Sequence, residues 1–344
     1  MSGLLMVAPC LHHPELGGIQ RCGHSAWQWL GNARQGSRLL TYGPDCHDGC
    51  NRSKWTVGLS AARYANWSDP VIVWHRSLLK LGCLTPRLRK LAVMLHGIEA
   101  WEKLKPAELT SFERVNLFCT VSDYTWHRFT AANPQFSDRH HEIVHLGFGD
   151  GPLPASQPDP AIPAAVIVAR MNRDEDYKGH RQLIECWPLV QRRIPAARLW
   201  IVGDGDLEAE LKELALRTSD AAHIQFLGRL PEAEKLTYIQ RARCLAMPSR
   251  GEGFGLVYLE AMRAGRPCLV SNQDAGQEVV NPPEAGLAVD PVDPAACSEA
   301  IIRMLTDGRD WQQWSSNAQR RYSQHFTNAA FHRRLSSAIA RLES

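Results

Sequence analysis

Residues 244–271 read CLAMPSRGEGFGLVYLEAMRAGRPCLVS. An apolar run, Cys244 to Pro248, gives way to a glycine-rich turn; a helical stretch follows over 255–265, and a second apolar run, Pro267 to Ser271, closes the unit. Strand, turn, helix and strand in this order predict a βαβ unit with parallel strands. The same alternation extends upstream, with strands over 164–170, 198–203 and 224–228 and helices near 178–194, 206–217 and 231–242. In the first half, strands are expected over 4–8, 38–42, 71–75, 91–96, 117–122 and 142–146. The fold class is α/β, with helices covering both faces of parallel sheets.

The chain has 344 residues, and at roughly 150 residues per domain that is enough for two. Between the two strand series, residues 147–163 read GFGDGPLPASQPDPAIP, without apolar periodicity. This divides the chain into an N-terminal domain over 1–150, a linker over 151–163 and a C-terminal domain over 164–325. Two doubly wound, Rossmann-like domains then face each other across a cleft. Residues 326–344 are expected to form a terminal helix that packs back on the first domain.

Composition excludes several classes. Lys and Arg number 39 against 36 Asp and Glu, too near balance for a general nucleic-acid binder. The longest unbroken apolar run is six residues, Ala164 to Ala169, far short of the roughly 20 that span a bilayer. Cys119, Cys244 and Cys268 fall inside apolar runs, where thiols behave as small hydrophobes, which points to a reducing, cytoplasmic location. Cys46, His47 and Cys50 lack a second ligand pair at zinc-site spacing.

In open α/β sheets, ligands sit outside the carboxyl ends of strands, so unusual chemistry matters most there. No strand is followed by G-x-G-x-x-G, and no G-x-x-x-x-G-K-[ST] occurs, which disfavours a dinucleotide dehydrogenase and a P-loop ATPase. Gly251, Gly253 and Gly255 let backbone approach a ligand at a helix start, where unpaired N–H groups and the helix dipole attract anions. Glu252 lies in the turn. Glu260 follows Gly255 at a rise of roughly 7 to 8 Å, close to the reach from a phosphate to the ribose of one nucleotide. Arg170 ends a strand and Lys178 opens the next helix, where a cation opposes the helix dipole; either Asp174, Glu175 and Asp176 neutralise both, or the two cations clamp a pyrophosphate. Gly203-Asp204-Gly205 reads as a tight turn.

The stretch EGFGLVYLEAMRAGRPCLVS, with Glu252 and Glu260 separated by seven residues, resembles the E-x7-E motif of retaining glycosyltransferases of family 4. The resemblance continues through Asp274 to Val280 and Gly286 to Val289, and back to Arg170 and Lys178-Gly179. In the first half it rests on Gly17-Gly18-Ile19 and His96-Gly97. It implies the GT-B architecture and a metal-independent, cofactor-free retaining hexosyl transfer from a nucleotide sugar. The donor-side residues it implies are Gly17, Gly18, Arg170, Lys178, Glu252, Gly253, Phe254, Gly255 and Glu260. Gly228, Arg229 and Leu230 resemble the loop that meets the base through backbone groups. His96 is implied to lie against the transferred sugar, and it joins Arg170, Lys178 and Glu252 as a catalytic candidate.

GGIQ (17–20) and HGIEAW (96–101) look most like mannosyltransferases of surface polysaccharide or glycolipid assembly. GDP-mannose is thus the first donor expected, a UDP-sugar the second, and a carbohydrate or lipid-linked molecule the acceptor. A catalytically silent nucleotide-sugar-binding subunit and a phosphorylase are the rival readings. From Arg76 to Lys90 there are five basic residues and no acidic one, suited to an anionic membrane surface or to a solvated helix face. Gln319 to Leu342 is also basic, with packing of the final helix as the alternative explanation.

Overall fold

In the computed structural model the described residues are 3–11, 17–43, 56–57, 59–60, 63, 69–83, 90–154, 156–159, 161–218, 222–306 and 308–344. The chain forms two compact units, one of residues 1–147 and 328–344 and the other of residues 148–327.

The first unit runs β1 (Leu5–Pro9), α1 (Gly18–Ala33), β2 (Arg38–Tyr42), β3 (Val71–Val73), α2 (Leu79–Gly82), β4 (Leu91–Leu95), α3 (Pro106–Glu113), β5 (Leu117–Thr120), α4 (Asp123–Ala132) and β6 (His141–Ile143). Its parallel sheet has the order β2-β1-β3-β4-β5-β6. Met6 of β1 pairs with Leu39 on one side and Ile72 on the other. Nearly all side chains of the central strands are buried, as parallel sheets covered on both faces require.

The second unit runs β7 (Ala164–Val168), α5 (His180–Arg193), β8 (Arg198–Val202), α6 (Glu208–Thr218), β9 (Ile224–Gly228), α7 (Glu232–Arg241), β10 (Cys244–Met247), α8 (Leu256–Arg263), β11 (Cys268–Ser271), α9 (Gly276–Val280), β12 (Gly286–Val289), α10 (Pro294–Leu305) and α11 (Arg309–His325). The sheet order is β12-β11-β10-β7-β8-β9. Val166 pairs with Leu245 of β10 and Trp200 of β8, which makes β7 central. In α5, Leu183, Ile184, Trp187 and Val190 recur at three- and four-residue spacing and form its buried stripe.

The last helix, α12 (Asn328–Glu343), belongs to the first unit. Phe331 meets the Trp74 ring at 6.2 Å, and His332 stacks on Trp29 at 5.4 Å.

Around the linker expected over 151–163, described backbone groups bond to neighbouring elements of the second unit. Phe148 N–H donates to Phe326 C=O at 3.0 Å, Leu153 N–H to Arg263 C=O at 3.0 Å, and Asp159 N–H to Arg241 C=O at 2.9 Å. A segment rich in Pro and Gly builds no regular ladder of its own, so these backbone groups find partners on neighbouring elements, while Ile162 N–H turns back to Asp159 C=O at 3.3 Å. Several strands end a residue or two before the apolar run does. Trp74, His75 and His96 leave the ladder to form loops, and β6 stops at Ile143, the residue opposite the last residue of β5.

Seven described cysteines (22, 83, 119, 186, 244, 268 and 297) are free thiols. Cys10 is disulfide-bonded, which differs from the reducing location expected from Cys119, Cys244 and Cys268. Cys46, His47 and Cys50 lie outside the described residues. Among the described residues no helix is long and apolar enough to cross a membrane.

Candidate active site

In the second unit the chain steps from β7 outward through β8 and β9, then returns to the other side of β7 with β10. This is the topological switch point, and the loops leaving β7 and β10 emerge side by side at its carboxyl end. Close packing of glycines joins them. Gly179 caps α5 with φ +99°, and a Cβ there would stand 2.9 Å from Pro248. At Gly251 an added Cβ would lie 2.5 Å from the Tyr177 ring, and Arg250 N–H donates to Tyr177 C=O at 2.9 Å. Gly203 and Gly205 complete the support: a Cβ on Gly203 would meet Ala169 O at 2.0 Å. The 203–205 turn therefore shapes the Arg170 loop, to which it is also tied by Met171 N–H on Asp204 C=O at 2.7 Å.

On this frame Lys178 Nζ lies 2.5 Å from Glu252 Oε1 and 5.0 Å from the centre of the Tyr177 ring. Arg170 Nη2 is 2.6 Å from Glu175 Oε1, with 70% of the Arg170 side chain exposed. Burial raises the Tyr177 pKa, with smaller and opposing contributions from the charges of Lys178, Glu175, Glu252 and Arg170. The neutralisation expected from the 174–176 acids is thus split. Glu175 meets Arg170, Asp176 pairs with Arg181 at 2.8 Å, and Lys178 reaches across to Glu252. Burial alone would lower the Lys178 pKa, but the Glu252 carboxylate outweighs it and holds the ammonium above its ordinary value. His180, one turn into the same region, is pushed down to about 4 by burial and by Lys178.

Gly253 and Phe254 lead to Gly255, the N-cap of α8, at φ +85°. A Cβ on Gly255 would sit 2.4 Å from the Tyr258 ring, so only glycine fits this approach to the helix start. Glu260 lies on α8, its carboxylate 2.7 Å from Lys235 Nζ, which also holds Glu232 at 2.9 Å. Gly228, Arg229 and Leu230 connect β9 to α7, the helix that carries both Glu232 and Lys235. Glu260, Lys235, Glu232, Arg263 and Phe148 line a cavity of about 210 Å³.

In the first unit, Gly17 is the N-cap of α1 and Gly18 its first residue. His96 follows β4 and is buried, and its Nε2 meets Trp74 C=O at 2.6 Å. A carbonyl only accepts, so Nε2 carries the proton and Nδ1 keeps a lone pair. That Nδ1 is buried and, among the described residues, has no hydrogen-bond partner. Burial, opposed by the Glu99 carboxylate, brings the His96 pKa down to about 4, so the ring is neutral at pH 7. The Trp74 indole N–H donates to Ile19 C=O at 2.9 Å. One tryptophan thereby joins the glycine loop to His96.

Tyr177, Lys235 and Trp74 are absent from the residues singled out by sequence, and Asp274 enters there only as the start of the Asp274 to Val280 stretch, with no role given to it. Asp274 stands at the carboxyl end of β11, so the strand-end rule that found Arg170 reaches it too. The other three become visible only through contacts distant in sequence. Of the basic stretches, Arg76 pairs with Glu108 at 2.8 Å, Lys90 donates to Glu343 C=O, Arg321 to Glu278 C=O at 2.8 Å, Arg334 to His145 C=O at 3.3 Å, and Arg341 pairs with Glu142. Packing accounts for these cations; Arg87 and Arg89 lie outside the described residues. No group of three or more His, Cys, Asp or Glu placed to hold a metal occurs among the described residues.

Residues 159–321 match the family model described as glycosyl transferases, group 1. The match lies within the second unit and covers a little under half of the chain. Among curated relatives, a GDP-mannose-dependent alpha-(1-6)-phosphatidylinositol monomannoside mannosyltransferase of Mycobacterium tuberculosis is 28% identical over 298 residues, 75% of this chain and 76% of the relative. The monoacylated-substrate counterpart of Corynebacterium glutamicum is 30% identical over 243 residues, 63% of this chain and 61% of its own length. Among solved structures, a sucrose-phosphate synthase of Thermosynechococcus elongatus aligns with TM-score 0.77 at 18% identity, covering 99% of both chains. HepE of Anabaena in complex with UDP aligns with TM-score 0.76 at 18% identity, covering 98% of this chain and 100% of that one. The fold is that of GT-B glycosyltransferases.

Proposed function

We propose that the protein is a retaining, metal-independent hexosyltransferase that takes mannose from GDP-mannose and passes it to a hydroxyl of a carbohydrate or lipid-linked acceptor. The observation that carries this reading is the Lys178–Glu252 pair at 2.5 Å at the switch point, where the loop after β7, which also carries Arg170, packs through Tyr177 on the glycine turn after β10. Two cations beside a glycine-lined helix start suit a diphosphate, whose charge grows as the sugar departs. Arg170 and Lys178 stabilise that leaving group. Glu252 and the amides of Gly253, Phe254 and Gly255 hold sugar hydroxyls and phosphate. Glu260, kept in place by Lys235, accepts from the ribose hydroxyls, and the backbone of Gly228, Arg229 and Leu230 meets the base.

In the first unit, His96 Nδ1 accepts from a sugar hydroxyl, and the Gly17-Gly18 loop offers close backbone approach. The described residues offer no second carboxylate with a clear nucleophilic role, so attack is assigned to the face the leaving group vacates. The acceptor oxygen bonds to the anomeric carbon as its bond to phosphate oxygen breaks, and that oxygen takes the acceptor proton. GDP-mannose as donor and a glycolipid as acceptor are supported by the relatives' activities. An acceptor of that kind suits a peripheral protein working at the inner face of the membrane.

A thermal-shift panel of nucleoside diphosphates and their sugars, followed by a product assay, tests the reading. GDP and GDP-mannose should raise the melting temperature, and mannose should be released or transferred with its anomeric configuration kept. Stabilisation by UDP-sugars alone reassigns the base; no response to any nucleotide sugar removes the proposal.

A further inference from the structure

Asp274 is a carboxyl group with 2% of its surface exposed, and among the described residues it forms no ion pair with a cation. A buried acid without a counter-charge is costly, and such a group calls for a purpose. Its contacts supply one. Oδ2 accepts from Glu252 N–H at 3.0 Å and Oδ1 from Gly276 N–H at 2.9 Å, while the Ser249 hydroxyl donates to the same carboxylate. The next residue completes the grip, since Ala275 N–H donates to Glu252 C=O at 3.1 Å. The backbone of Glu252 is thus held on both its N–H and its C=O by the turn between β11 and α9. Its side chain is held by Lys178.

We infer that Asp274 is a positioning residue for the transfer step, fixing the Glu252 backbone so that the carboxylate and the following amides meet the sugar. The inference rests on the donor-site reading above. It also gives the site a second acid beside Glu252. Burial and the Glu252 charge push the Asp274 pKa up to about 7, and the groups facing it are Glu252 on its own loop, Lys178 beyond that carboxylate, and the Tyr258 phenol on α8. Ionised, Asp274 accepts all three hydrogen bonds; protonated, it gives up part of that capacity. Turnover should therefore rise as pH passes through about 7.

The test compares wild type, Asp274→Asn and Ser249→Ala. An Asn amide nitrogen would face a backbone N–H and lose one grip. Asp274→Asn should lower kcat at least 30-fold, leave the affinity for GDP within threefold, and remove the rise in kcat near pH 7. Ser249→Ala, which keeps both backbone bonds, should lower kcat less than tenfold and retain that rise. Circular dichroism and melting temperature check that both fold; should Asp274→Asn not fold, loss of the pH-dependent rise in Ser249→Ala overturns the inference and its retention supports it. An active wild type with an Asp274→Asn variant of unchanged kcat and pH profile overturns the inference alone. A wild type that neither binds nor turns over any nucleotide sugar overturns the donor-site reading, and this inference with it.

Discussion

The Lys178 ammonium stands 2.5 Å from the Glu252 carboxylate, with 15% and 13% of the two side chains exposed. The partners are 74 residues apart and leave different strands, so the contact measures how closely the β7 and β10 loops are held. Truncating one member strands the other in a largely desolvated place. Lys178→Met or Glu252→Gln should each lower unfolding stability by about 2–3 kcal/mol, and the double variant should recover all but about 1 kcal/mol. Urea titration of the four proteins measures this, and strict additivity would contradict a direct pair.

Arg170, by contrast, is largely exposed, and its pair with Glu175 should be worth little to stability. Its worth should appear only in turnover. Arg170→Ala is expected to lower kcat by about 10²–10³, the cost of losing one preorganised donor to a leaving anion, with a melting temperature near wild type. Steady-state kinetics beside a thermal melt separates the two effects.

Gly255 has no room for a side chain, with φ +85° and the Tyr258 ring 2.4 Å from an added Cβ. Gly255→Ala should cost about 1–3 kcal/mol of stability and displace the start of α8. Donor affinity should fall more than tenfold even at temperatures where the variant remains folded, as read by calorimetric titration.

His96 and Asp274 bend the stability curve in opposite senses. His96 has a folded pKa of about 4, against 6.5 when free. The unfolded chain therefore binds more protons between those values, and this contribution is complete above pH 6.5 and lost as pH falls to 4. It amounts to at most about 3 kcal/mol. Asp274, raised from 3.8 to about 7, keeps its proton longer when folded, so its contribution is present below pH 3.8 and lost as pH rises through 7. His96→Gln should reduce the fall in stability on acidification between pH 6.5 and 4, measured by denaturant titration at each pH.

Much of this was legible because periodicity survives in the residues themselves. The run of Cys244 to Met247 and the helical spacing through Glu260 announce a βαβ unit, and strand-end logic leads to Arg170, Lys178 and Glu252. Lys235 escaped because nothing local ties it to Glu260, 25 residues on; only the packing of α7 near α8 does. Trp74 escaped for a similar reason, its indole N–H and its C=O bonding to residues 55 and 22 positions away. The hydrogen bonds of the 151–163 segment were not legible because Gly and Pro report the lack of regular structure, not the lack of packing.

The central claim is that Arg170 and Lys178 recognise a diphosphate. Calorimetric titration of GDP and of guanosine into wild type and into the Arg170→Ala/Lys178→Ala double variant tests it most directly. Two charge-assisted contacts at about 1.5 kcal/mol or more each predict a wild-type preference for GDP of at least about 100-fold, falling below about tenfold in the double variant. An undiminished preference for GDP in the double variant would contradict the account.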